Sequence, residues 1–243
     1  MTSPDLLWVY LTQSPLLWLT ATLAAYAVGH ALHLRAGGNP LVNPVAIAVI
    51  LLVGVLTVTG TDYATYFDGA QFVHFLLGPA TVALAVPLWR NRAEVRRRLV
   101  PMAVALLVGS VTAVVSAVGV ASLLGAAPQT MLSLAPKSVT TPIAMGVAER
   151  IGGLPSLTAV LVILTGIVGA MVATPLLNAV GLSNDPRKGD WAAGGFAMGI
   201  AAHGIGTARA FQVHPLAGTF AGIAMGLNGL LTAILVPVLI TLF

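Results

Sequence analysis

The segment Ser133–Arg150, SLAPKSVTTPIAMGVAER, guides the interpretation of the whole chain, because it places a lysine between two prolines in a very apolar sequence. Pro136 and Pro142 have no amide hydrogen, so neighbouring carbonyl groups lose their helical partners and can face a ligand or an ion. Lys137 is followed by the hydroxyl side chains Ser138, Thr140 and Thr141. The pattern predicts an interrupted helix whose cation, hydroxyls and free backbone suit a small carboxylate.

The composition identifies a membrane protein. Of 243 residues, 58% are hydrophobic and 7% are charged, and the mean hydropathy is +0.97. Soluble domains carry about 25% charged residues. A charge near the centre of a bilayer costs about 2.5–3.5 kcal/mol, so we interpret Lys137 as functional. The alternative is that Lys137 snorkels to the surface while the prolines only kink the helix.

Seven apolar segments have the length that a bilayer demands of a helix. They cover residues 15–34, 42–60, 70–89, 99–124, 156–180, 191–211 and 216–243. The sequence lacks the alternation of β-barrel strands, so it predicts an all-α polytopic membrane protein with about seven or eight transmembrane helices, some interrupted or re-entrant. Asp5 stands where a signal peptide needs basic residues, so we expect the N-terminal apolar stretch to remain as an anchor.

The basic residues predict the orientation. Residues 90–98 (RNRAEVRRR) hold five arginines and one glutamate, whereas the rest of the chain holds six basic and six acidic residues. One basic loop between apolar segments fits the positive-inside rule rather than a nucleic-acid partner, which predicts that loop 90–98 is cytoplasmic. If residues 130–150 cross fully, Arg187 and Lys188 fall outside, against the rule; if the segment dips in and returns, they fall inside. We favour the re-entrant alternative.

This topology predicts an inverted repeat within a single membrane domain that covers all 243 residues. Residues 42–124 and 156–243 would form two three-helix units of opposite orientation. Many secondary transporters are built in this way and bind substrate at the midplane, where helices are broken. The expected breaks in the middle helices are at Pro79, Gly204 and Gly206.

A second group of candidate residues lies in the segment AHGIGTARAF, residues 202–211. His203 and Thr207 share a helix face, and Arg209 follows; the arginine can bind a carboxylate through two hydrogen bonds and the histidine can carry a coupled proton. The alternatives are that Arg209 pairs with lipid headgroups and that His203 hydrogen-bonds a neighbouring helix. Asn228, a single amide on an apolar helix, is either such an interhelical link or a site residue.

The sequence argues against catalysis and against bound cofactors. Ser138 adjoins Lys137, but adjacent residues on a helix point about 100° apart and form no catalytic dyad there. No histidine or carboxylate cluster has metal-ligand spacing, and no glycine-rich loop follows a strand to hold phosphate. We therefore expect no enzyme activity, no metal and no cofactor.

Four motifs resemble the LrgB (CidB) family: PKSVTTPIA, GGLPSLTAVLVILTGIVGA, AHGIGTARAF and FLLGPATVALAVPL. The likeness extends from about Leu41 to the end of the chain. Bacterial members of the family are described as holin-like or antiholin-like modulators of murein hydrolase activity and autolysis. Relatives that include a plastid glycolate and glycerate carrier imply transport of small monocarboxylates such as glycolate, glycerate or pyruvate. The resemblance thus implies two alternative functions, a carrier and a regulator without substrate turnover.

The resemblance also implies partners and a location. An LrgA/CidA-type small membrane protein would act beside this chain in a bacterial cytoplasmic membrane, where the chain would form a homo-oligomer among lipids. Gly146 stands where many members carry an acidic residue, and Trp89 stands where tyrosine is usual. Gly146 removes one carboxylate that could couple an ion. The residues predicted to surround a bound monocarboxylate are Lys137, Ser138, Thr140, Thr141, His203, Thr207, Arg209 and Asn228.

Overall fold

The structure is a computed structural model and describes residues 15–182 and 190–240. All regular secondary structure in these ranges is helical, which confirms the predicted all-α fold. The helices are α1 (Pro15–Arg35), α2 (Pro44–Thr59), α3 (Tyr63–Phe75), α4 (Leu77–Ala83), α5 (Ala85–Arg90), α6 (Arg92–Arg97), α7 (Leu99–Leu123), α8 (Pro128–Leu134), α9 (Thr141–Ile151), α10 (Pro155–Ala179), α11 (Trp191–Val213) and α12 (Pro215–Leu239). Asp5, Arg187 and Lys188, used above to predict topology, lie outside the described residues.

The lengths and hydropathies of the helices fit a polytopic membrane protein. Among the described residues, five helical stretches are long and apolar enough to cross a bilayer, and α2 is a shorter apolar helix. The five are Leu16–Arg35, Tyr63–Arg90, Leu99–Leu123, Pro155–Ala179 and Pro215–Leu239. At 1.5 Å per residue, a 25-residue helix such as α7, α10 or α12 is about 37 Å long. That length exceeds the roughly 30 Å hydrocarbon core.

The chain forms two compact units, Met1–Ala83 and Leu84–Phe243. In the first unit, α1 packs against both α2 and α3. Trp18 on α1 lies edge-on to Tyr66 on α3, with ring centroids 5.8 Å apart. Gly29 on α1 approaches the first residue of α2 so closely that a Cβ there would lie 2.5 Å from its carbonyl oxygen. Aromatic packing and one close backbone contact therefore hold these three helices together.

The helix break expected at Pro79 lies a few residues before the proline. Pro79 is the third residue of α4, and the interruption between α3 and α4 falls at Leu76. A proline cannot donate to the carbonyl four residues earlier, which here belongs to Phe75, the last residue of α3. The position of the break follows from that missing donor.

The second unit contains a helical hairpin formed by α8 and α9, which we call hairpin one (residues 128–151). A turn at residues 135–138 reverses the chain between the two helices. Ser133 near the end of α8 bonds to the start of α10: its Oγ accepts from the amide of Leu154 at 2.8 Å, and its carbonyl accepts from Thr158 Oγ1 at 2.9 Å. A straight helix would separate Ser133 from Leu154 by about 30 Å. Residues 128–151 therefore enter and leave on the same side.

The α11 helix is a second hairpin, hairpin two (residues 191–213), where the sequence predicts one crossing helix over 191–211 with breaks at Gly204 and Gly206. Ala202 and His203 have non-helical backbone angles. The rings of Trp191 and His214, at the two ends of the segment, stack with centroids 5.0 Å apart. A straight helix would separate these residues by about 35 Å. Two antiparallel arms, residues 191–201 and 204–213, thus replace the expected single crossing.

The hairpins enter the second unit from opposite ends, as their contacts with α12 establish. Met131 and Ile151 of hairpin one pack in the same cluster as Leu239, at the C-terminal end of α12. Phe211 of hairpin two contacts Gly218, near the N-terminal end of α12. The hairpin arms have lengths of about 10–17 Å, so the two tips lie near the mid-depth of the full-length helices.

The second unit contains an inverted pair of helix and hairpin. The C-terminal half of α7 packs with hairpin one through Val118, and the C-terminal end of α10 packs with hairpin two through Leu177. Since the hairpins enter from opposite ends, α7 and α10 run in opposite directions. The repeat predicted over residues 42–124 and 156–243 has other boundaries and stays a prediction.

Candidate functional site

The two hairpin tips meet around the side chain of Asn228, at the middle of α12. Its Nδ2 donates to the carbonyl of Ser138 in the first tip and to the carbonyl of Ile200 before the second tip, both at 3.2 Å. Its Oδ1 accepts from Ser110 Oγ of α7 at 2.5 Å and from Thr232 Oγ1 at 3.4 Å. Asn228 is 1% exposed, so protein groups replace water as its partners. One amide thereby links both tips to two full-length helices.

Lys137 is the charged residue of the first tip. It lies in the turn between α8 and α9, is half-buried, and its Nζ donates to Ser138 Oγ at 3.2 Å. The carbonyl of its neighbour Ser138 shares the Asn228 amide with the carbonyl of Ile200, just before the second tip. Pro136, just before Lys137, is fully buried. The cation of hairpin one thus lies beside the tip of hairpin two.

The first turn of α9 begins at the first tip. Thr140 is its N-cap residue, Thr141 its first residue and Pro142 its second, and no side chain caps this end of the helix. The amide groups of an uncapped first turn and the positive end of the helix dipole favour negative charge. The hydroxyls of both threonines and the dipole of α9 are therefore found at the same tip as Lys137.

His203 forms the second tip and has a backbone conformation that residues other than glycine rarely adopt. Its φ is +39° and its ψ is −129°. The buried ring donates from Nε2 to the carbonyl of Val162 on α10 at 2.9 Å, since a carbonyl oxygen can only accept. Gly166, one turn further along α10, leaves room for the ring, because a Cβ there would lie 2.7 Å from its Cε1 atom.

The returning arm of hairpin two carries the other predicted residues, at different distances from the tip. Gly204 begins this arm, and Gly206 lies against the carbonyl of Met198, where a Cβ would approach the oxygen to 2.7 Å. Thr207 Oγ1 donates to the carbonyl of His203 at 2.8 Å. Arg209 is half-buried and donates from Nη1 to Gln212 Oε1 at 3.3 Å, on the side of the open end. Thr207 belongs to the tip, whereas Arg209 lies about 9 Å from it along the arm.

An ion pair that the sequence analysis did not single out joins α7 to hairpin two. Arg98 Nη1 lies 2.5 Å from Asp190 Oδ2, and Asp190 also caps α11 by accepting from the amides of Ala192 and Ala193. Burial would raise the pKa of the Asp190 carboxyl, but the hydrogen bonds from Arg98 and from these two amides hold it below its usual value. The only sequence signal is one acidic residue just before an apolar segment, which marks a helix cap.

A cavity of about 470 Å³ lies between α7 and the outgoing arm of hairpin two. Its lining begins at Arg98 and includes Ala113 on α7 and Ala201 beside the second tip. Most of the lining is apolar, and small residues such as Ala197 leave it open. The cavity has the volume of a small-molecule site and extends from the ion pair to the level of the tips.

Among the described residues, no group of three or more histidine or acidic side chains comes together that could hold a metal ion. The sequence analysis did not identify Ser110 or Gly166. In the sequence, both are only small residues within apolar helices. Their roles depend on side chains from other helices.

The architecture defines a class: an α-helical membrane protein with two oppositely directed hairpins whose tips meet inside the bundle. The model of the LrgB-like family matches residues 22–242, and the chain belongs to this family. The chain is 31% identical over 205 residues to the holin-like protein CidB of Staphylococcus epidermidis, covering 84% of this chain and 87% of that protein. It is 28% identical over 231 residues to the antiholin-like protein LrgB of Bacillus subtilis, covering 95% and 97%.

A third relative is YwbG of Bacillus subtilis, which is 34% identical over 199 residues, covering 82% of this chain and 86% of YwbG. No solved structure matches the chain. The first of these relatives is named holin-like and the second antiholin-like. Neither name describes an enzyme.

Proposed function

We propose that this chain carries small monocarboxylates, such as glycolate, glycerate or pyruvate, across the membrane. The observation that carries the proposal is the meeting of two hairpin tips from opposite ends of the unit beside Lys137. Broken helices that meet near the midplane are the usual substrate sites of secondary transporters. A half-buried cation at such a site is costly unless an anion or another partner compensates it.

The polar groups at the tips provide the charge and the hydrogen-bond donors that one bound carboxylate needs. Lys137 supplies the positive charge, and Ser138, Thr140 and Thr141 supply hydroxyl donors. The helices that start at the tips, α9 and the returning arm of hairpin two, point their positive ends toward the same place. His203 would exchange a proton through Nδ1, and Arg209 would meet the anion between the second tip and the open end of hairpin two.

The cavity beside α7 would provide access from one side. Its lining extends from Arg98 to Ala201, so a substrate would enter past the Arg98–Asp190 pair. With loop 90–98 on the cytoplasmic side of a bacterial inner membrane, this entrance would be cytoplasmic. An LrgA/CidA-type small membrane protein and further copies of this chain are the proposed partners. We propose no catalytic step.

The second candidate function is regulation of murein hydrolases and autolysis in the manner of a holin or antiholin, without substrate turnover. The names of the CidB and LrgB relatives favour this function over carriage. The cluster of Lys137, His203 and Asn228 favours carriage, because an oligomeric pore has no need of polar groups at the tips of buried hairpins. Flux measurements separate the two functions.

The test is uptake of labelled glycolate, glycerate and pyruvate into proteoliposomes that contain this chain, with and without an LrgA-type subunit. We expect saturable uptake that Lys137→Ala lowers by at least tenfold, because the tip loses its only ammonium, and that Lys137→Arg partly restores. Arg150→Ala, at the exposed end of α9, serves as the matched control and should leave uptake unchanged. Unsaturable leakage of unrelated solutes would instead support a pore, and absence of flux in every combination would support regulation.

A further inference from the structure

The carbonyl groups that bind Asn228 are those that the helix breaks deprive of a donor. The carbonyl of Ser138 would receive a helical hydrogen bond from residue 142, but Pro142 has no amide hydrogen. The carbonyl of Ile200 would receive one from Gly204, which lies beyond the break at Ala202 and His203. Asn228 Nδ2 donates one hydrogen to each of these two carbonyls.

The orientation of the amide follows from its partners. If the oxygen and nitrogen of Asn228 were exchanged, Oδ1 would face two carbonyl oxygens and no donor would compensate it. In the orientation found, Oδ1 faces the hydroxyls of Ser110 and Thr232, both of which can donate. The two amide hydrogens therefore carry partial positive charge into the space between the tips.

Carbonyls freed by broken helices are the groups that bind sodium ions or protons in transporters with such helices. Here protein donors already occupy several of them. Besides the two carbonyls on Asn228, Leu134 O accepts from the Lys137 amide and Pro136 O from the Val139 amide. The full positive charge at the tips comes from Lys137 itself.

We propose that the side-chain amide of Asn228 takes the place of a coupling cation between the two hairpin tips, so that anion binding there does not require sodium. The inference rests on the proposed function in one respect, that the substrate is an anion. The claim about the tips depends only on the hydrogen bonds of Asn228. Asn228 is a positioning residue: it holds the two tips in register, and Lys137 meets the substrate.

The variant that tests this inference is Asn228→Asp. A carboxylate at this position would face the same two carbonyls without a hydrogen to donate, and would form with them an oxygen-lined cation site. We expect the purified full-length wild type to show no saturable binding of ²²Na⁺. We expect Asn228→Asp to bind ²²Na⁺ saturably, and more tightly as pH rises, because protons compete for the new carboxylate.

Thermal unfolding in detergent gives a second measurement that needs no transport. At constant ionic strength, replacing choline by sodium should raise the melting temperature of Asn228→Asp, by an amount that grows with the logarithm of sodium concentration once the site is saturated. The wild type should not respond. Asn43→Asp is the matched control: Asn43 caps α2 by accepting from Val45 and Ala46, a role that aspartate also fills, so this variant adds the same charge elsewhere.

Saturable sodium binding by the wild type would overturn the inference, and this result does not depend on whether any variant folds. A folded Asn228→Asp that ignores sodium would overturn it as well. Neither measurement requires flux, so a failure of monocarboxylate uptake would count against the proposed carrier and would leave this test intact.

Discussion

At the scale of single residues, the conformation of His203 is the most specific feature of the site. Holding a residue other than glycine at such backbone angles costs about 1–3 kcal/mol of free energy, so neighbouring groups must stabilise it. Here Val162 binds the ring and Thr207 binds the backbone carbonyl. The sequence identifies His203 as a candidate site residue, but it places the expected helix break at Gly204 and Gly206. The partners that stabilise His203 come from α10 and from the returning arm, which local sequence does not reveal.

The space beside His203 yields a stability prediction. Gly166→Ala would place a Cβ 2.7 Å from His203 Cε1 and 2.8 Å from Ile205 Cδ1, so the ring or the arm must shift. We expect the free energy of unfolding to fall by about 1–3 kcal/mol, as overpacking usually costs, and the melting temperature in detergent to fall with it. Gly119→Ala on α7 is the control, since no atom lies within 4 Å of that Cβ. Equal melting temperatures for both variants would contradict the placement of the ring.

At the scale of elements, the ion pair of Arg98 and Asp190 ties the start of α7 to the start of hairpin two. Asp190→Asn removes the charge but keeps an oxygen that can cap α11. Partly exposed pairs contribute about 0.2–1 kcal/mol, so we expect a loss of stability of that size at neutral pH. The measurement is the free energy of unfolding of wild type and variant from neutral to acidic pH.

The pH dependence of this difference has a definite sign. The pKa of Asp190 is lowered in the native state, because the hydrogen bonds from Arg98 and the helix amides outweigh burial. The stabilising contribution is therefore complete above the pKa of the unfolded chain and is lost as pH falls through the lower native pKa. Wild type and Asp190→Asn should converge in acid. A difference that stays constant over the whole range would show that the ion pair is not its source.

The two hairpins differ in how well the sequence predicts them. Hairpin one is predicted because Pro136 and Pro142 interrupt it, and because the charges of the later loop favour a segment that returns. Hairpin two contains no proline, and its arms join through Ala202 and His203, so the sequence predicts residues 191–211 as one crossing segment with breaks at Gly204 and Gly206 and not as a hairpin. The length of an apolar segment does not distinguish one crossing helix from two half-length arms, because the same residues can form either.

At the scale of the whole molecule, the second unit contains two pairs of helix and hairpin that run in opposite directions. The predicted repeat pairs three-helix segments by topology alone. Among the described residues, α7 and hairpin one pair with α10 and hairpin two, and the tips meet at Asn228. Long-range hydrogen bonds between residues as far apart as Ser110 and Asn228 set this arrangement. The residue types of the site are predictable from sequence, whereas their grouping depends on such contacts.

The arrangement of the hairpins predicts a pattern of surface labelling that single helices cannot produce. The chain contains no cysteine, so single cysteines can be introduced without removing any. Ala126→Cys and Leu154→Cys flank hairpin one and should react with a membrane-impermeant maleimide from the same side. Leu182→Cys, before hairpin two, and Gln212→Cys, at the end of its returning arm, should both react from the opposite side. If either segment crossed as one helix, the members of its pair would label from opposite sides, and the midplane meeting of the tips, with the carrier proposed from it, would no longer hold.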